Sequence, residues 1–184
     1  MKHYLTKTIL ALATLLCSMN CWAVAVTING INYELYTNGG NFCIINRSKV
    51  SGDVVIPESI EYEGQSYEVQ RIGTEAFYGC SNMTSIQIPK TITSVNPWAF
   101  YGCSNLKKVY ITDLKAWLAI DFGSFVASPF QDDTRLYLND KEVTTLTIPD
   151  GTTVIKPEVF HGCKSITKVI LPNSVKEIGE YAFC

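Results

Sequence analysis

At 184 residues with 47% hydrophobic and 17% charged side chains, the chain has the composition of a folded protein and not of a disordered one. Its formal net charge of −2, from 15 basic and 17 acidic residues with no basic run, argues against a nucleic-acid partner. The length suits one compact domain or one short stack of repeats.

The first 25 residues read as an export signal. Lys2 and Lys7 precede the apolar run 9–16, and small-residue sites follow at Cys21-Trp22-Ala23 and Ala23-Val24-Ala25, so cleavage is expected after Ala23 or Ala25. The run is too short to cross a bilayer, and no transmembrane segment is expected. A lipoprotein would need Cys17 or Cys21 as the modified residue; Leu16 and Asn20 are poor neighbours for that processing, which makes it the less favoured reading. Loss of the signal removes two lysines and no acid, leaving 13 basic and 17 acidic residues, a charge of −4.

Residues 26–53 alternate apolar and polar side chains around Asn29-Gly30 and Asn38-Gly39-Gly40, the pattern of β-hairpins. They lack the motif that follows and are expected to cover the first end of a stack.

That motif organises residues 54–184. IGTEAFYGCSNMTSIQIP at 72–89 returns as VNPWAFYGCSNLKKVYIT, with Phe77 to Phe100, Cys80 to Cys103 and Ile88 to Ile111 each 23 apart. Phe160 to Phe183 and Pro149 to Pro172 repeat the interval of 23. A fixed period of this size marks a solenoid, whose units bury their apolar faces only against neighbours. Pro57 to Pro89 is 32, and the nine extra residues form an expected small hairpin turning at Glu63-Gly64.

Within a unit, Met83-x-x-Ile86-x-Ile88 matches Leu106-x-x-Val109-x-Ile111 and Ile166-x-x-Val169-x-Leu171, the spacing of a leucine-rich strand with its apolar side chains inward. Strand periodicity then turns Ser85, Gln87, Lys108, Tyr110, Thr145, Thr147, Lys168 and Ile170 outward onto one shared face, the candidate contact surface. Proline follows the strand at Pro57, Pro89, Pro149 and Pro172, and the Ala-Phe-x-Gly-Cys core reads as one helical turn stopped by glycine. Trp98 replaces Glu75, Glu158 and Tyr181 at its register and is the candidate exposed aromatic. The expected fold is a strand-dominated α/β-type solenoid, with a parallel sheet on one face and a hairpin cap.

The third unit, at about 111–147, is stretched: Cys103 to Cys163 is 60, read as 23 plus 37. Counting back 23 from Phe160 puts Tyr137 at the aromatic position, with Val143, Leu146 and Ile148 as its strand. In the inserted DLKAWLAIDF, Leu114, Trp117, Leu118 and Phe122 define one face of a short helix, and Trp117 is expected to pack there. The last unit is incomplete, and no further cap is expected after Phe183.

The pattern IPxxVxxIGxxAFxGCxxLxxVxIP, the stretched unit with its Lys-Ala-Trp and Leu-Tyr-Leu elements, and the N-terminal hairpins resemble the BspA-like leucine-rich repeat surface proteins over 26–184. The resemblance implies a bacterial protein, secreted or held on the outer cell surface, that adheres to host proteins, glycans or other cells. The chain departs from the family in having only about four units and a fragment. An open last unit also suggests an alternative: a structural module that self-associates through its C-terminal end, or a fragment of a longer adhesin.

No catalytic, cofactor or metal residues are assigned. His161 occupies the place of Tyr78 and Tyr101 and reads as a surface variant, without a positioned nucleophile. Cys80, Cys103 and Cys163 recur once per unit with no Cys-x-x-Cys pair, so they read as stacked thiols and not as zinc ligands. Cys43 and Cys184 break the register, and spacing leaves their pairing open. Asp132-Asp133 and Asp150-Gly151 read as turns, not a calcium loop.

Overall fold

The structure, a computed structural model, describes residues 23–37, 40–131 and 133–184; the expected export signal lies almost wholly outside the described residues. Strands β1 (Val24–Ile28), β2 (Ile31–Tyr36) and β3 (Phe42–Asn46) pair antiparallel in that order. The first connection, Asn29-Gly30, takes φ of 51° and 81°, the left-handed pair a tight hairpin needs. Alternation carries Tyr33, Leu35, Cys43 and Ile45 inward, all buried. These strands are more than a lid, because β3 also pairs parallel with the stack that follows and sets Ile45 opposite Ile72.

Two parallel ladders run along the stack. β4 (Gly52–Val55) begins one; β5 (Ser59–Tyr62) and β6 (Gln65–Ile72) then form the inserted hairpin, turned at Glu63 and Gly64, and β6 enters the other. β7 (Met83–Ile88), β8 (Ser94–Val95) and β9 (Lys108–Ile111) continue them alternately. In register, Val54, Ile86 and Val109 fill one inward column, and Ile45, Ile72 and Val95 the other, none more than 6% exposed. Phe77 and Phe100, fully buried, stack with ring centroids 5.5 Å apart.

The Ala-Phe-x-Gly-Cys segment is not a helical turn. Its hydrogen bonds run Ala76 N–H to Gly73 O, Tyr78 N–H to Glu75 O and Cys80 N–H to Phe77 O, a chain of β-turns. Left-handed residues at Glu75 (56°) and Gly79 (71°) break any α-helical run. Phe77 N–H and Gly79 N–H instead donate sideways to Ala99 O and Tyr101 O of the next turn. The segment therefore knits neighbouring units together, which an internally bonded helix would not do.

The stretched region divides between its turns differently from the sequence count. Helix α1 (Leu114–Leu118), N-capped by the Asp113 carboxylate on Ala116 N–H, precedes β10 (Asp121–Phe122), which pairs with β8 and sets Phe122 opposite Val95. A full strand, β11 (Arg135–Leu138), follows and pairs with β9, and β12 (Lys141–Glu142) folds back on it. The 60 residues between Cys103 and Cys163 thus divide as 27 and 33, not as 23 and 37. Four extra residues come from the α1 loop and ten from the β11–β12 hairpin. Tyr137 accordingly sits on β11 beside Tyr110 and not at the buried aromatic position. Ala127 and Phe130 are buried in the extra turn, and Trp117, 2% exposed, adds the ring bulk.

β13 (Thr145–Thr147) and β14 (Val154–Ile155) resume the two columns and pair parallel with β15 (Lys168–Ile170) and β16 (Glu177–Ile178). Leu146, Ile148 and Ile155 are buried, and Phe160 stacks on Phe183 at 5.4 Å.

All five cysteines among the described residues are free thiols, and all but Cys184 are buried. Cys80 Sγ donates to Ser48 O at 3.3 Å and Cys103 Sγ to Phe77 O at 3.2 Å, tying each turn to its neighbour. Burial pushes the Cys43 and Cys103 thiols from 9.0 up to about 12, and burial raises Cys163 as well. These groups fold as neutral thiols, so their contribution is complete below pH 9.0 and lost as pH climbs toward about 12. Urea unfolding midpoints should fall steadily across that interval; a midpoint independent of pH there would rule out thiol burial as the cause of alkaline lability. At neutral pH an aromatic disulfide reagent should modify Cys184 at once and the four buried thiols only on unfolding.

Candidate binding surface

The outward face of the first ladder is built by register. Asp53, Ser85, Lys108 and Arg135 form one row across β4, β7, β9 and β11, and Val55, Gln87, Tyr110 and Tyr137 the next. Tyr110 and Tyr137 lie with ring centroids 4.9 Å apart, and Lys108 Nζ is 6.0 Å from the Tyr137 ring. Arg135 is held by Glu142 on β12, NH1 to Oε1 at 2.5 Å. The patch offers two half-buried phenols beside two cations, a mixture of apolar area and donors suited to recognition.

Ser85 is not a contact residue. It is 8% exposed, and its hydroxyl donates to Asp53 Oδ1 at 2.6 Å, with Thr84 Oγ1 donating to the same oxygen at 2.9 Å. Those hydrogen bonds, Ser85's first, hold the Asp53 carboxyl below its usual range, and Lys108 assists. Adjacent strands bring the two side chains close enough to satisfy each other, so Ser85 positions Asp53.

Nor do the eight candidates share one sheet. Gln87, Lys108 and Tyr110 lie on the first ladder, whereas Thr145, Thr147, Lys168 and Ile170 lie on the separate β13–β15 pair. The β11–β12 hairpin occupies the edge of β11, which divides the outward surface into two patches. On the second, Thr145, Thr147, Lys168 and Ile170 are all exposed.

Asp53, Arg135 and Tyr137 were missed by counting. The available signal was RLYL against KVYI: Arg135 follows Lys108, and Tyr137 follows Tyr110, by 27, a period lengthened by four.

Trp98 lies on a different surface, among the turns. It is 41% exposed and meets Tyr101 edge-on at 5.0 Å, while Tyr101 stacks on Tyr78 at 5.5 Å. The Arg47 guanidinium carbon lies 5.1 Å from the centroid of the Tyr78 ring, and Arg47 pairs with Glu75 at 2.6 Å. Trp98 takes φ of 64°, as Glu75, Glu158 and Tyr181 take 56°, 64° and 54° at the same register. The left-handed backbone, costing about 1 kcal/mol or more for such residues, recurs at this register; it leaves Trp98 and Tyr181 exposed and the Glu158 side chain largely buried. Sequence comparison treated His161 as a bland variant; the structure places it half-buried between Phe125 and Tyr181, beside Glu158.

The sequence model of the family described as "BspA type Leucine rich repeat region" matches this chain in six copies, over 53–128 and 133–184. Six copies exceed the four units and a fragment expected from the sequence. A leucine rich cell surface protein from Faecalibacterium prausnitzii A2-165 is similar at 28% identity and a TM-score of 0.53, over 87% of this chain and 46% of that one. The present chain therefore spans about half the length of that protein. A leucine-rich repeat protein from Bacteroides capillosus is similar at 22% identity and a TM-score of 0.49, over 81% of this chain and 99% of that one. No protein with a curated description matches in sequence. Among the described residues no helix is long and apolar enough to cross a membrane.

Proposed function

This chain belongs to the BspA-type leucine-rich repeat family, and from that premise we propose that it is an exported protein, secreted or on the outer cell surface, that binds a host or bacterial surface protein or glycan and performs no catalysis. The observation that carries the reading is the outward row Gln87, Tyr110 and Tyr137 with Lys108 and Arg135 beside it. Inward positions of the same strands are spent on the core, while these tyrosines and cations stand where packing does not call for them. Adhesion is the form of binding that fits a surface-displayed, repeat-built face.

The test is retention on a panel of purified matrix proteins and surface glycans. The exported chain should bind at least one member, and Tyr110→Ser with Tyr137→Ser should weaken that binding by about tenfold or more. Retention no better than that of an unrelated solenoid, or unaffected by the double substitution, would remove the assignment to this face.

One observation favours a second reading. Ile170, Leu171 and Ile178 are 43–49% exposed on the last described turn, an apolar edge suited to pairing with another chain. A strict monomer by light scattering under reducing conditions would sink it.

A further inference from the structure

The turns contain one arrangement twice, filled once. Glu75 and Tyr78 stand two residues before and one residue after the buried Phe77; Glu158 and His161 stand in the same places around Phe160. In the earlier turn Arg47 completes the group, its guanidinium over the Tyr78 ring and its NH1 on the Glu75 carboxylate. Planar guanidinium both stacks on an aromatic face and forks onto a carboxylate, so one side chain satisfies both neighbours.

In the later turn no cation arrives. The segment beside it supplies Ser124 and Phe125, and among the described residues no lysine or arginine lies within ion-pairing distance of Glu158. Its one neighbour able to carry positive charge is His161, whose Nδ1 is 3.5 Å from Oε2. Glu158 Oε2, His161 Nδ1 and Ser124 Oγ are all buried without a hydrogen-bond partner, an unusual concentration, since buried polar atoms are nearly always satisfied. Rings border the spot: Phe125 lies 6.0 Å and Tyr181 6.2 Å from His161, and they are 59% and 50% exposed. Burial pushes the Glu158 carboxyl above its usual range, His161 opposing and Glu180 reinforcing the shift. A carboxylate without a lysine or arginine partner, bordered by aromatic rings whose faces carry negative quadrupole potential, attracts cations.

We propose that Glu158, with the rings of Phe125, His161 and Tyr181, receives an arginine or lysine side chain from a protein partner, seated as Arg47 is seated on Glu75 and Tyr78. The site is on the turns and does not depend on the sheet face described above. Charge decides the occupant: Glu158 and Glu180 call for a cation, and neither a neutral glycan nor an acidic segment supplies one. The incoming cation would pair with Glu158 and offset its repulsion with Glu180, the type of buried anchor that dominates interface energetics.

An acetylated, amidated Gly-Arg-Gly tripeptide titrated into the intact chain provides the probe, read by NMR on ring and amide signals. Signals of Phe125, His161 and Tyr181 should move with the arginine peptide and stay still with its citrulline counterpart. Glu158→Gln should weaken the response about tenfold, the loss expected when a charge-assisted contact becomes neutral. Arg47→Ala should open a second site, seen as new shifts at Tyr78. An equal response to the citrulline peptide, an unchanged response in Glu158→Gln, or no response at these rings overturns the proposal. Should Glu158→Gln lose native signal dispersion, Phe125→Ser at its exposed position takes its place, and full affinity in that variant overturns the proposal equally.

Discussion

Phe100→Ala should cost about 3–5 kcal/mol, read as a large drop in the urea midpoint at nearly unchanged slope. The ring is fully buried, stacked on Phe77 at 5.5 Å, and the Phe100 carbonyl accepts from Gln131 Nε2 at 2.7 Å. Truncation therefore removes a fully buried ring that stacks on the neighbouring turn, in a stack whose stability is the sum of such interfaces. Phe183, at the same motif position, is 36% exposed and has one stacked partner, Phe160. Phe183→Ala should cost only about 1 kcal/mol by lost apolar burial. Equal losses at the two positions would show that the phenylalanine column is not what couples the turns.

That contrast also marks what could be read before any coordinates. The repeat was legible because Phe77, Phe100 and Phe160 each sit in a motif whose neighbours return in fixed order, and burial forces the same residue type into each equivalent place. The outward row was legible only in part. Period two separates Gln87 and Tyr110 from the core, but it is silent on neighbours, and Asp53 is what takes Ser85 out of the contact surface. The stretched region defeated counting for a plainer reason. Two insertions of different length, one inside a turn and one after a strand, shift the register in two steps. Tyr137 falls 23 before Phe160 by coincidence, while its ladder partner is Tyr110, 27 before it. The Glu158 cluster was hidden because its interest lies in what Arg47 does at Glu75 and no residue does at Glu158, a comparison of occupants and not of motif letters.

The same insertion supplies the second large effect. Trp117 on α1 is 2% exposed, meets Phe122 and Phe130 edge-on at 5.5 and 5.9 Å, and donates Nε1–H to Val159 O at 3.0 Å. That hydrogen bond joins the α1 loop to the turn holding Phe160, 42 residues away in sequence. Trp117→Ala should cost about 3–5 kcal/mol through lost burial and the cavity left behind. Trp117→Phe keeps much of the ring area and should cost about 1–3 kcal/mol, the penalty for leaving the Val159 carbonyl unpaired. The location of the damage separates this role from mere bulk. Hydrogen exchange should accelerate first at the amides of Phe160 and Gly162, which bond to Ala182 O and Cys184 O, while Gly73 N–H on Ile45 O keeps its protection. Acceleration of equal size at both ends would mean that the stack unfolds as one unit and that Trp117 does not pin its later turns to the rest.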